Sequence, residues 1–265
     1  MKSSLAFHDF PRDYPGSEAN WYRFYRVLKT AEVAAPGGIQ SSHAWLDIGC
    51  HSGAFLRAIL ELFDLSRPLG CDVYAAADKD ERRYECYQKT DNRGWDYRQI
   101  DAAAGLKLNR RFEVISALEV IEHIIDTDKF LDDIAAHLAP NGLLLLSTPN
   151  INNLINRVTV PFGRYPIGLE YRNQIHHVRL YNVAALRRQL EDRGFEVLRI
   201  AGVQLLPQRW VLASAVLRRC SETLADLLPE WSVNVIAVAR KRSGPAAANA
   251  GDPGPGGPPV PRADW

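Results

Sequence analysis

Two groups of residues in this chain have the types and spacing to do chemistry. The first is Asp47-Ile48-Gly49-Cys50-His51-Ser52-Gly53, a turn bounded by glycines. Glycine lets a backbone come close to a ligand, and a helix that starts just after such a turn offers free N–H groups to an anion. The second is Glu119-Val120-Ile121-Glu122-His123, with His176-His177 further along. An imidazole gains and loses a proton near neutral pH, so His177 and then His123 are candidate general bases. Two carboxylates and two imidazoles are also a donor set for a divalent cation. The plainer readings are an ordinary βα turn, a surface-loop His177, and a His123 that only steadies the loop around Glu122.

These groups need elements to hold them. Residues 43–48 are a mostly apolar run that reads as a strand buried on both faces. Phe55, Leu56, Ile59, Leu60 and Phe63 then recur at helical spacing. Further strands are predicted at 71–77, ahead of Asp78-Lys79-Asp80, at 97–100, ahead of Asp101, at 112–118, running into Glu119, and at 143–147. Helices are predicted at 17–33, 81–89, 127–138, with Asp126 or Thr127 as N-cap, and 183–193, between the cap Asn182 and the stop Gly194. Pro140-Asn141-Gly142 predicts a turn. A strand at 195–206, one or two helices over 208–228 and a last strand at 232–240 complete the pattern. In the first helix the aromatic residues Trp21 and Tyr22 either pack on the sheet or line the site.

Alternating strands and helices predict a parallel sheet with right-handed crossovers and helices on both faces. Such sheets bind ligands outside the carboxyl ends of their strands, and the polar clusters above all fall there. Residues 1–38 read as an N-terminal helical segment or lid, and 39–241 as one α/β domain. Within it, 151–181 and 203–229 are expected to build the substrate side. Residues 242–265, rich in Gly, Pro and Ala, are expected to be disordered.

A chain of 265 residues with 46% hydrophobic content can build one substantial core. Its net charge of +1 lacks the electrostatic footprint of a nucleic-acid binder, so no nucleic-acid partner is expected. Cys50, Cys71, Cys86 and Cys220 form neither a CxxC pair nor a zinc spacing. Residues 1–15 hold no apolar signal-peptide region, and no run is long enough to span a bilayer, so a cytoplasmic location is expected.

Taken in order, several motifs resemble those of class I S-adenosylmethionine-dependent methyltransferases, in their ubiquinone-methyltransferase-like branch. They are Leu46 to Gly53, Asp78 after the second strand and Asp101 after the third. Phe112-Glu113-Val114-Ile115 with Glu119 to His123 follows, then Pro140 to Asn150, and His177-Val178-Arg179-Leu180-Tyr181 ahead of Gly194-Phe195. The resemblance covers residues 44–240. It implies a Rossmann-like, mostly parallel seven-stranded sheet with helices on both faces and the last strand antiparallel. It implies S-adenosyl-L-methionine as methyl donor. Asp47 would order the turn, and Gly49 and Gly53 would let backbone approach the methionyl part. Asp78, with Lys79 beside it and Asp80 as its rival, would hold the ribose diol. Asp101 and Ala102 would meet the adenine, and Leu118 and Glu119 the methionyl amine and sulfonium. His51 stands where the family has Gly, which either bends the turn differently or sets an imidazole near the cofactor.

The implied reaction is in-line methyl transfer, O-methylation first, to a small-molecule, sugar or lipid-linked acceptor, with C- or N-transfer left open. His177, and second His123, would take the acceptor's proton. Glu119, Glu122, His123 and His176 or His177 also resemble the magnesium site of small-RNA 3′-end 2′-O-methyltransferases, a metal-dependent alternative. A non-catalytic scaffold that binds the donor or its product is the third reading. The apolar stretch 203–219, with Arg209, Arg218 and Arg219, is either a helical cap on the sheet or a surface for peripheral membrane contact.

Overall fold

The apolar run after residue 43 forms strand β1 (Trp45–Ile48), buried at all four positions. The computed structural model describes residues 18–65, 68–73, 94–166, 177–206 and 208–242. Around β1 it builds one sheet with β2 (Leu69–Asp72), β3 (Asp96–Gln99), β4 (Phe112–Leu118), β5 (Leu138–Pro149), β6 (Phe195–Gly202) and β7 (Asn234–Lys241). The strand order is β3-β2-β1-β4-β5-β7-β6. The first five are parallel, and β7 runs antiparallel to both β5 and β6. The expected sheet, with its antiparallel last strand, is the one observed. The chain moves outward from β1 to β3 and then returns to β4 on the other side. The order therefore reverses between β1 and β4, which opens a crevice at their carboxyl ends.

Side chains alternate across a strand, and here they feed two cores. Val114 and Leu145 face one layer, with Tyr22 and Leu28 of α1 (Glu18–Ala34) and Phe55 and Leu56 of α2 (Ala54–Phe63). Ile115 and Leu144 face the other, with Leu131 and Ile134 of α3 (Thr127–His137) and, beyond the six-residue helix α4 (Leu154–Thr159), Leu186 and Leu190 of α5 (Val183–Asp192). Trp21 and Tyr22 are buried, so the packing reading of these aromatics holds. The caps are the expected ones: Asp126 accepts from the Lys129 N–H, and Asn182 from the Ala185 N–H. Two further helices, α6 (Gln208–Ala213) and α7 (Ala215–Leu227), lie between β6 and β7.

Several boundaries differ from the sequence reading, three of them with consequences. Strand β2 stops at Asp72 instead of running to 77. Asp78, Lys79, Asp80 and the expected helix at 81–89 lie outside the described residues. Strand β6 stops at Gly202 rather than 206. The turn at 140–142 sits inside β5: pairing jumps from Phe112↔Leu138 to Val114↔Leu143, with Asn141 at φ 61°. Leu138 still pairs with β4, so the strand resumes after the excursion. Among the described residues no helix is long and apolar enough to cross a membrane.

Candidate active site

The turn after β1 is set by backbone geometry. Gly49, His51 and Gly53 take φ +67°, +45° and +72°, a region that costs an L-residue about 1–2 kcal/mol. A Cβ on Gly49 would stand 2.5 Å from Val120 Cγ2, and one on Gly53 would collide with the Trp95 ring. The glycines therefore also make room for protein side chains. His51 holds the same conformation with a side chain, and histidine is one of the few residues that tolerate it. Its ring is exposed.

The His51 N–H donates to Asp72 Oδ2 at 2.8 Å, and the Val73 N–H to Asp72 Oδ1 at 2.7 Å. Asp72 is the last residue of β2 and so the acid at the end of the observed strand. It ties the glycine turn to the neighbouring strand. Asp47 lies beneath, 3% exposed. Its Oδ1 accepts from Ser116 Oγ at 2.6 Å, which itself accepts from Trp45 Nε1. Burial pushes the Asp47 carboxyl up to about 7; the Ser116 hydrogen bond opposes this and the Asp72 charge adds to it. After β3, Asp101 Oδ1 accepts the Ala103 N–H at 2.9 Å. Asp101 lines a cleft of about 550 Å3 with Arg98, Ile100 and Leu106, a size suited to a small ligand. Ala102 packs against the core beside it.

Side chains fix the other half of the rim. Strand β4 ends at Leu118, and Glu119 follows at φ +58°. Its carboxylate accepts from Ser147 Oγ at 2.8 Å and from Asn234 Nδ2 at 2.6 Å, and Arg23 of α1 stands 3.7 Å away. Glu122 is 2% exposed. Its Oε2 accepts from Thr148 Oγ1, while its Oε1 is buried with no hydrogen-bond partner among the described residues. Burial first, and then the nearby Glu119, push the Glu122 carboxyl up to about 8. The Glu122 carbonyl accepts from the Val178 and Arg179 N–H groups. This draws residues 177–180 onto the turn and sets the His177 ring 4.9 Å from the His123 ring, nearly edge-on. One ligand atom each from Glu122, His123 and His177 lies within 4.8 Å of the others, which leaves room for one cation or one water between them.

The sheet thus places Asp47, Gly49, His51, Gly53, Leu118 and Glu119 on the adjacent ends of β1 and β4, with Asp101 and Ala102 after β3. His123 meets His177, whereas His176 lies outside the described residues. Glu119 lies outside the carboxylate–imidazole cluster, and Ser147 and Asn234 hold its oxygens. The expected four-residue metal set therefore reduces to three. The sequence reading missed Asp72, Arg23, Ser147 and Asn234. Gly70-Cys71-Asp72, a glycine strand closing on an acid, was the available signal for Asp72. Nothing local marks the other three, since their partner is far away in the chain.

Comparison with known proteins comes to the same place. Residues 21–200, more than half of the chain, match a family model described as a methyltransferase domain. A relative in Azorhizobium caulinodans, named ubiquinone biosynthesis O-methyltransferase, is 30% identical over 182 residues, covering 64% of this chain. The match spans 66% of that relative, just under two thirds of its length. An S-adenosylmethionine dependent methyltransferase from Mesorhizobium loti superposes with TM-score 0.55 at 17% identity, over 81% of this chain and 100% of the other. A phosphoethanolamine N-methyltransferase from Haemonchus contortus, solved with S-adenosylhomocysteine, gives TM-score 0.57 at 19% identity, over 82% of this chain and 52% of the other. The two superpositions bear on the fold.

Proposed function

We propose, from the premise that this chain belongs to the methyltransferase-domain family, that it transfers a methyl group from S-adenosylmethionine to a hydroxyl of a small-molecule acceptor. The relatives named for O-methylation in ubiquinone biosynthesis support an oxygen acceptor, with a phenolic, lipid-linked molecule as the first choice. A cytoplasmic location belongs to the same reading.

The residues present suit the donor. Asp72 offers a carboxylate at the strand-end position that accepts from a ribose diol in dinucleotide folds. Asp101 sits in a cleft that suits an adenine. The backbone of the glycine turn, backed by Asp47, borders the crevice where the methionyl end would lie. When bound, the donor supplies an electrophilic methyl on a sulfonium and leaves as the neutral thioether S-adenosylhomocysteine. His177 would take the acceptor's hydroxyl proton during the transfer. His123 orients it, or takes its place. The rest of the acceleration comes from positioning and from keeping water out.

The observation that carries this reading is the pair of imidazoles beside the β4 end, where the methyl would be presented. Incubating the full chain with methyl-labelled donor and a panel of catechol-type quinone precursors tests it. The expected product, seen by mass spectrometry, is a methyl ether. Labelling of amine acceptors alone would refute it.

A second reading follows from the orphaned Glu122 Oε1. Glu122, His123 and His177 would hold a divalent cation that lowers the pKa of the acceptor hydroxyl. Full turnover in excess chelator would remove it. The RNA form of this reading lacks an electrostatic footprint, given the net charge of +1.

A further inference from the structure

Helix α7 is amphipathic in an unusual sense: its acids point in. Glu222 is 5% exposed and accepts from Lys29 Nζ and Tyr25 Oη of α1. Asp226 pairs with Arg26 of α1 and Arg199 of β6. The exposed positions of α7 carry no carboxylate, and Arg219 is the charged residue among them. Val216 and Leu227 are 70% and 71% exposed, and Leu217 and Leu224 more than a third. With Cys220 they make one stripe, because residues three and four apart share a helix face. Two half-exposed tryptophans stand near it along the chain, Trp210 on α6 and Trp231 just past α7.

We propose that this face of α7 docks on an anionic lipid surface. The leucines and Val216 would enter the acyl boundary, Trp210 and Trp231 would sit at headgroup level, and Arg219 would meet the lipid charge. A second copy of the chain fits less well. The stripe from Val216 to Leu227 is roughly 17 Å long and about one helix wide. That is a small fraction of the roughly 800 Å2 per partner that stable interfaces bury. The Trp231 ring also lies under Arg157 of α4, and α4 follows the carboxyl end of β5. The docking face therefore borders the rim where an acceptor would enter. None of this depends on which acceptor is methylated.

Co-sedimentation of the full chain with extruded vesicles tests the proposal, using phosphatidylcholine alone or mixed with phosphatidylglycerol. The chain should pellet with the anionic vesicles and be released by high salt. A Val216→Glu, Leu227→Glu double variant should lose about tenfold in lipid affinity. Both positions are well exposed, so that variant should keep the parent's melting temperature and its calorimetric binding of S-adenosylhomocysteine. Absence from the anionic pellet, or equal pelleting of parent and variant, would overturn the proposal. So would a parent that is dimeric without lipid and a variant that is monomeric in sedimentation velocity, since the face would then serve self-association. Because donor binding is read separately, failure here leaves the methyl-transfer reading standing, and the reverse also holds.

Discussion

The two halves of the sheet's carboxyl rim are held by different means. On the β1–β2–β3 side, backbone does most of it: positive φ angles at Gly49, His51 and Gly53, and N–H groups pinned by Asp72. On the β4–β5–β7 side, side chains do it: Glu119 is gripped by Ser147 and Asn234, and the two histidines meet over a buried Glu122. The first arrangement suits a donor of constant shape. The second gathers titratable groups where a proton has to move. On the proposed function, the first half would serve chiefly donor binding and the second proton handling.

The sharpest test of that division is His177→Ala. It should lower kcat by about 10²–10⁴-fold, the usual contribution of a general base, with S-adenosylhomocysteine affinity unchanged by calorimetry. If donor affinity fell in parallel, the halves would not be separable.

Next comes pH. The Asp47 carboxyl moves from 3.8 to about 7 on folding. Between those values the native chain keeps a proton that the unfolded chain releases, so stability falls as pH rises from about 4 to 7. Glu122, raised to about 8, carries the fall a little further. Asp47→Asn should remove most of the slope, worth at most roughly 4 kcal/mol, and raise the melting temperature at neutral pH. A wild-type melting temperature that climbs over that range would contradict the assignment.

Asp72→Ala should weaken S-adenosylhomocysteine binding by about 100-fold, the loss of two charge-assisted hydrogen bonds. Asp78→Ala should cost much less. Equal effects would return the ribose contact to Asp78. The smallest effect is expected at His51→Gly, which relieves a left-handed side chain but loosens the unfolded state. Stability should move by less than about 1 kcal/mol. A larger change in donor affinity would show that the imidazole touches the donor.

The same contrast explains what could be read in the sequence. Backbone requirements leave local marks: glycines at fixed spacing, an apolar run before them, a cap such as Asn182 before a helix. The mostly parallel seven-stranded sheet and its antiparallel last strand followed from such marks and from the family's motifs. Side-chain grips leave none. Arg23, Glu119, Ser147 and Asn234 are far apart along the chain, and only the folded sheet brings them together. Asp72 was missed for a local reason. The apolar Ala75-Ala76-Ala77 after it lengthens the expected strand, although the observed one ends at the acid. His177 reached His123 through two backbone bonds to the Glu122 carbonyl, a contact that spacing does not reveal.

The central claim is that the crevice between β1 and β4, closed on the β2 side by Asp72, holds the methyl donor. Calorimetric titration of the full chain and its Asp72→Ala variant with S-adenosylhomocysteine tests it most directly. One saturable site in the parent, weakened by about two orders of magnitude in the variant, is the predicted result. No heat from the parent, or the same affinity in both, would contradict it.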